Sequence, residues 1–355
     1  MSIFITGGAG FVGSSLAKSY RSKFPARRIV VFDNLKRRGA ELNLPEFKKL
    51  NIDFVHGDIR QPDDLEAVEG SFDLFIEASA EPSVHAGADG KASYLLHTNL
   101  TGTLNCLEWA RQRCAHTLFL STSRVYSIPA LNEIPLRQAA TRFELDTDAQ
   151  LATGLCERGI GEKFDVSRFR SLYGATKLAS ELVIQEYCAL YGMKILINRC
   201  GVIAGPGQWG KADQGVYTLW VANHFFGKAL KYIGYGGYGK QVRDLLHPQD
   251  LFALLEAQLE KIDAHSGEVF NVGGGLDIST SLLEYTQLCA EITGNEIAVG
   301  QEPATNPLDV PYYISDYRRA TETFAWQPQK TVRDIVSDIH NWLSSERERV
   351  EPIFC

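Results

Sequence analysis

Apolar and polar positions follow two rhythms along the first two hundred residues. Short apolar-rich runs, "SIFIT", "RRIVVFD", "NIDFVHGDI", "FDLFIEASA", "AHTLFLS" and "KILINRC", have strand length and strand composition. Between them lie stretches with helical spacing, among them "GFVGSSLAKSYRSKF", "NLTGTLNCLEWARQRC" and "YGATKLASELVIQEYCALYG". Strict alternation of the two predicts an α/β fold with a Rossmann-type doubly wound parallel sheet. After about residue 200 the rhythm loosens into glycine-rich loops and helices, which predicts a smaller, mixed α/β C-terminal lobe. No internal repeat or low-complexity linker interrupts the chain.

The first strand runs straight into a glycine pattern, Gly7, Gly10 and Gly13, and then into a helix opening at Phe11 and Val12. Gly7 permits a tight turn, Gly10 lets backbone approach a pyrophosphate, and Gly13 lets the helix pack close to the strand. The free N–H groups at the helix start face the phosphate charge. Asp33 ends the second strand twenty residues after Gly13, where an acid accepts hydrogen bonds from an adenosine ribose, with Asn34 beside it. A carboxylate there repels a 2′-phosphate, so NAD is expected rather than NADP; Arg37 and Arg38 are the residues that keep NADP open. The expected division is an NAD-binding Rossmann domain over 1–200, its core extending into parts of 241–275, and a lobe over 201–355.

Composition adds mainly exclusions. The 355 residues are 45% hydrophobic and 22% charged, which is ordinary for a globular protein. A net charge of −7 argues against nucleic acid or an anionic membrane as main partner. The cluster Lys36 to Arg38 is too short to change that. No apolar run reaches the roughly 18 residues of a membrane helix, and the chain opens in a strand rather than a signal peptide, so a cytoplasmic protein is expected. Seven scattered cysteines without a C-x-x-C pair, and eight histidines without ligand spacing, predict reduced thiols and no metal site.

Candidate chemistry lies in "LSTSRVYSIP" and "SLYGATKLASE". Tyr173 and Lys177 are four apart, on one face of a helix, so the ammonium can sit beside the phenol. A tyrosine ionises near pH 10, and use as a base at neutral pH needs about 4 kcal/mol of tuning. A nearby lysine supplies tuning in the right direction. Thr122 closes a strand whose tip carries hydroxyls.

Together Gly7, Gly10, Gly13, Asp33, "GDIR" at 57–60, Asn99, Thr122, Tyr173 and Lys177 resemble the extended short-chain dehydrogenase/reductase family over nearly the whole chain. The longer blocks "VFDNLKRRGAELNL", "FVHGDIR", "DQGV", "GKQVRDLLHPQD" and "FNVGGG" are similar to the branch that epimerises CDP-paratose (CDP-tyvelose) at C2. The resemblance implies NAD and a nucleotide-diphosphate sugar, with a CDP-sugar favoured. It places Asp58 and Ile59 at the adenine, Ala78, Ala80 and Asn99 along the cofactor, and Lys177 on the nicotinamide ribose. Thr122 would bind the reacting oxygen and Tyr173 would carry its proton, during transient oxidation to a keto sugar and re-reduction. On the substrate side it points to Ser123, Arg124, Gln208, Asp213, Gln214, Tyr235 and Arg243, the last as diphosphate ligand; an ion pair of Arg243 with Asp244 or Asp250 is the other reading. The helices over 100–113 and 173–191 would form a homodimer or dimer-based homo-oligomer.

This chain departs from the family at several positions. Glu77 stands where many members carry histidine, Ser127 replaces a glycine, and Val202 stands where members often carry Asn or Ser. Pro311 falls where close members have a second phosphate-binding arginine, with Arg318 and Arg319 out of register. Ser123 and Arg124 occupy the places where a dehydratase carries Asp and Glu. The long segment 128–170 is either a lid or altered sugar pocket, or a surface excursion. Alternatives on the same scaffold are a 4-epimerase, a dehydratase, a decarboxylase and a non-catalytic NAD-binding protein.

Overall fold

The computed structural model describes residues 1–87, 90, 92–210 and 214–354. Seven parallel strands form its central sheet: β1 (Ile3–Thr6), β2 (Ile29–Asp33), β3 (Asp53–His56), β4 (Phe72–Glu77), β5 (Cys114–Thr122), β6 (Lys194–Cys200) and β7 (Val269–Val272). They lie in the order β7-β6-β5-β4-β1-β2-β3. The winding reverses between β1 and β4, which opens a crevice beyond their C-terminal ends.

Every residue of β1 is buried, as expected of a strand covered on both faces. On one face Phe4 packs against Phe75 and Trp109, with ring centroids 5.5 and 4.5 Å away. On the other, Ile3 and Ile5 join Leu16 and Ala17 of α1 (Phe11–Lys23). Helices α2 (Gly102–Arg113) and α3 (Leu172–Tyr191) contribute Trp109 and Ile184 to the face of Phe4 and its neighbour Phe119.

The second lobe carries a mixed sheet. Val242–Leu246 pairs in parallel with Val202–Ile203 and Tyr312–Tyr313, and antiparallel with Ser279–Ser281. Helices Val216–Phe226, Leu282–Thr293 and Val332–Ser345 pack beside it around Trp220, Tyr285 and Ile339. Capping boxes at Ser281/Glu284 and Thr331/Asp334 start two of them. Val269–Val272 returns to the central sheet, whereas Val242–Leu246 stays in the lobe.

Residues 128–170 are neither a free lid nor a loose excursion. They form a short helix, Ile128–Asn132, and two hairpins, Leu136–Gln138 with Phe143–Leu145 and Leu155–Cys156 with Gly159–Ile160. Their apolar residues Ile128, Leu131, Leu155, Ile160 and Phe164 share a core with Val242, Tyr312 and Tyr313. Backbone bonds from Phe143 to Lys240 and from Ile160 to Ile314 fasten them there. By packing, this segment sides with the C-terminal lobe.

Beneath the crevice, Arg199 on β6 forks onto Glu181 of α3 at 2.7–3.1 Å, and Glu181 also receives the Ser121 hydroxyl of β5. Both charges are almost wholly buried. Arg199→Leu leaves the Glu181 carboxylate buried without its counter-charge, a loss of about 3–5 kcal/mol. Urea unfolding should show that loss, and Arg199→Leu combined with Glu181→Leu should recover much of it.

Candidate active site

The glycine turn after β1 lies at the mouth of the crevice. Gly7 has φ +63° and Gly10 caps α1. A Cβ on Gly13 would stand 2.3 Å from the Gly7 carbonyl oxygen, so only glycine lets α1 start this close to the turn. Asp33 reaches back to the same turn and accepts N–H bonds from Ala9 at 3.1 Å and Leu35 at 2.8 Å. Burial pushes its carboxyl up, while the backbone N–H groups of Leu35, Ala9 and Gly10 and the nearby His56 pull it down. The side-chain-free cradle and the fixed carboxylate fit a dinucleotide, with Phe11 and Val12 offering the first N–H groups of α1.

Asn34 donates to Asp58 at 3.0 Å, and Arg60 forks onto the same carboxylate. Partial burial alone would raise Asp58, but Arg60 and Asn34 hold it down at about 2. The Ile59 side chain is buried in the core with Phe4 and Phe32. Ala78 and Ala80 are half-buried at the end of β4. Asn99, fully buried in a π-helical turn (His97–Thr101), clamps the Glu81 backbone through both ends of its amide, at 2.7 and 3.0 Å. It therefore shapes the loop after β4 rather than facing into the crevice. Arg37 reaches Gln214 and the Trp209 carbonyl, and Arg38 reaches the Pro352 carbonyl, so both are engaged with the second lobe.

Tyr173 meets Thr122 where α3 docks on the end of β5, and Lys177 follows one helical turn along. Ser171 caps α3 and accepts the Gly174 N–H at 3.2 Å. Thr122 accepts the Arg124 N–H at 3.2 Å. A Cβ on Gly174 would stand 2.0 Å from the Arg124 carbonyl oxygen, so the helix touches the turn Ser123–Val125 backbone to backbone. Burial raises the Tyr173 phenol to about 12; the Thr122 hydroxyl and Arg124 guanidinium pull it down, and Cys200 and Glu77 add to the rise. Lys177 lies 3.8 Å from Glu77, both nearly inaccessible to solvent.

On the substrate side Arg124, Arg243, Tyr235 and Asp309 converge. Arg243 pairs with Asp309 at 3.1 Å and donates to the Val310 carbonyl at 2.7 Å, so its acid is neither Asp244 nor Asp250. Asp244 instead accepts the Gly275 N–H, and Asp250 the N–H groups of Gln329 and Lys330. Arg124 donates to the Leu308 carbonyl at 3.3 Å. Burial and the Arg243 charge press its guanidinium down, opposed by Asp309. Tyr235 has φ +51°, and its buried hydroxyl has no partner among the described residues. Ser123 is half-buried beside them.

Gln208 is not free for a ligand. Its amide donates to the Ile203 carbonyl at 3.0 Å and accepts from the Thr218 hydroxyl at 2.7 Å. Asp213 lies outside the described residues. Arg318 pairs with Asp316 and Arg319 with Glu268, so neither replaces the arginine missing at Pro311. Gly174 is the position that the sequence motifs did not single out; a glycine at the third position of a helix is itself a signal, because it weakens the helix it sits in. Among the described residues no three His, Cys, Asp or Glu side chains cluster as metal ligands, and no helix is long and apolar enough to cross a membrane.

A model of the NAD dependent epimerase/dehydratase family matches residues 3–273. The chain is 30% identical to CDP-paratose 2-epimerase of Salmonella typhi, over 97% of this chain and 100% of that protein. It is 26% identical to a dTDP-glucose 4,6-dehydratase of Streptomyces niveus, over 99% and 96%. Among solved structures, a double mutant of dTDP-glucose 4,6-dehydratase from Streptomyces venezuelae, with NAD bound, superposes with a TM-score of 0.80 at 25% identity, covering 99% of this chain and 100% of that one.

Gly174→Ala tests the docking of α3. The added methyl has no room against a backbone carbonyl, so helix and turn must separate; a loss of about 1–3 kcal/mol is expected in thermal or urea unfolding. NAD-dependent turnover should fall further than stability does, since a shift near 1 Å costs about a hundredfold in rate.

Proposed function

The chain belongs to the NAD-dependent epimerase/dehydratase family, and on that footing we propose that it inverts one carbon of a nucleotide-diphosphate sugar, in the manner of a CDP-paratose 2-epimerase. The observation that carries this reading is the meeting of Thr122, Tyr173 and Lys177 with an arginine, Arg124, at the position beside them. NAD, which the Gly7–Gly13 turn and Asp33 would hold, would supply reversible hydride transfer at one sugar carbon. Tyr173, as phenolate, takes the proton from the hydroxyl on that carbon and gives it back to the same oxygen. Thr122 hydrogen-bonds that oxygen while its charge changes. Lys177 and Arg124 supply the positive charge that favours phenolate over phenol.

The crevice floor supports an anionic substrate. Arg243 and Arg124 bring two positive charges against the single carboxylate of Asp309, and a guanidinium forks well onto phosphate oxygens. Holding the diphosphate there orients the sugar against Tyr173 and uses remote binding energy at the reacting carbon. Tyr235 offers its ring and hydroxyl to the same occupant.

Water elimination needs a group that donates a proton to a departing hydroxyl. Arg124 cannot, because a guanidinium keeps its proton at neutral pH. Asp309 is engaged by Arg243, and Glu77 is buried next to Lys177. Epimerisation needs no such acid. The substrate reading also extends to assembly: Leu182 and Leu190 on α3 are 59% and 71% exposed, and we assign that face to a homodimer.

Three measurements check these statements. Incubation with CDP-, UDP-, GDP- and dTDP-sugars, followed by NMR, should show inversion at one carbon, the hydrogen retained there and no net NADH. Loss of water or CO2 would defeat the reading, and inversion at C4 would move the substrate away from the CDP-paratose branch. Tyr173→Phe should keep NAD and lose at least about a hundredfold in turnover. Separately, sedimentation should give a dimer for the native chain and a monomer for Leu182→Glu.

A further inference from the structure

Glu77 is the last residue of β4, and Lys177 lies one turn along α3 from Tyr173. Each side chain is only 2% exposed, and the Lys177 Nζ stands 3.8 Å from Glu77 Oε2, an ion pair longer than a hydrogen bond. Neither Glu77 oxygen has a hydrogen-bond partner among the described residues. The ammonium also lies 4.3 Å from the centre of the Phe119 ring.

A carboxylate buried without donors is costly, and so is a buried ammonium; each is tolerated because it faces the other. The remaining titratable groups around the pair come from three elements. Cys106 on α2 is pushed well up by burial, with Glu77 the next cause, so its thiol carries no charge. Cys200 on β6 is raised to about 12 by burial, with Lys177 pulling it down. Tyr173 on α3 is the third. Burial raises Glu77 itself and Lys177 lowers it. Among the described residues Lys177 is therefore the cation that answers Glu77.

The Glu77 charge itself raises the Tyr173 phenol, and the ammonium it holds, one helical turn from that phenol, is neutralised on its other side. We propose that Glu77 is a positioning residue: its carboxylate is the counter-charge of Lys177, and by holding and partly neutralising that ammonium it governs how readily Tyr173 loses its proton. This rests on the reading of Tyr173 as base and Lys177 as its partner. It assigns a role to the residue that stands where many family members carry histidine. Glu77 fixes the ammonium in a place where solvent cannot, and its charge restrains phenolate formation.

The test needs no sugar. NAD-loaded protein is titrated with base while tyrosinate absorbance in the ultraviolet is followed, and the Tyr173→Phe trace is subtracted so that only Tyr173 remains. Removing the negative charge should lower the Tyr173 midpoint, by about one pH unit in Glu77→Gln. Glu77→Asp, which keeps the charge, should stay near the native midpoint. Should Glu77→Gln lack a cooperative melting transition, Glu77→His takes its place; its imidazole is neutral in the alkaline range where Tyr173 titrates, and the same downward shift is expected. Coincident midpoints for the native and neutral variants, an upward shift, or no Tyr173 titration in either below the alkaline unfolding limit would overturn the proposal. Failure of the sugar panel leaves this result untouched, and insensitivity of Tyr173 to Glu77 leaves the epimerase reading in place.

Discussion

The contact of α3 with the end of β5 is the constraint on which the site depends. At Gly174 a helix backbone rests on the Arg124 carbonyl with no side chain between them. Two turns further along, Glu181 is held by Arg199 from β6 and by Ser121 from β5. One end of the helix is fixed by shape and the middle by charge. Lys177 lies between these two anchors and Tyr173 directly beside the first, so their positions relative to Thr122 are set by the sheet rather than by their own contacts. This is the kind of rigid support that catalytic groups require, since their geometry must hold within fractions of an ångström.

Charge is distributed around that contact in two groups. Next to Tyr173 on the helix, Lys177 is matched by Glu77. On the substrate side, Arg124 and Arg243 outnumber Asp309. The chain as a whole carries a net −7, yet around Arg124 two guanidinium charges meet a single carboxylate. On the proposed reading, a local excess of this sign inside an acidic protein is a selective feature: it would attract a small anion without making the surface sticky for nucleic acid. It also acts on the base, because Arg124 is among the groups that pull the Tyr173 phenol down.

Much of this was legible in the residue order. The strands of the sheet announce themselves because a parallel sheet buries both faces and its strands must be apolar throughout. The glycine turn and Asp33 are legible because close backbone approach leaves few residue choices. The i, i+4 spacing of Tyr173 and Lys177 is local and visible. What could not be read are pairings across long stretches of chain. Arg243 is matched by Asp309, sixty-six residues on, and not by the acids nearest in sequence. Glu77 is matched by Lys177, a hundred residues on. Gln208 looks like a ligand-loop amide but spends both ends on Ile203 and Thr218. The segment 128–170 forms strands of only two or three residues, too short to show a period; they exist because they add to the C-terminal lobe.

Relatives that eliminate water and relatives that invert a carbon share this scaffold, so the choice of reaction must reside in few residues. Position 124 is the evident one, but its neighbours matter as much. A carboxyl group placed there would face Arg243, which in turn holds Asp309. An opposite charge at that range favours the ionised form, and an ionised carboxylate has no proton to give. Replacing Arg124 by an acid would therefore supply the residue type of a dehydratase without its chemistry. The acid would become a second partner for Arg243, and the positive charge meant for the substrate would be cancelled. Conversion would need the guanidinium of Arg243 withdrawn or rematched as well. On the proposed reading, the reaction is specified by the charge balance of the Arg124, Arg243 and Asp309 group, and not by any one member of it.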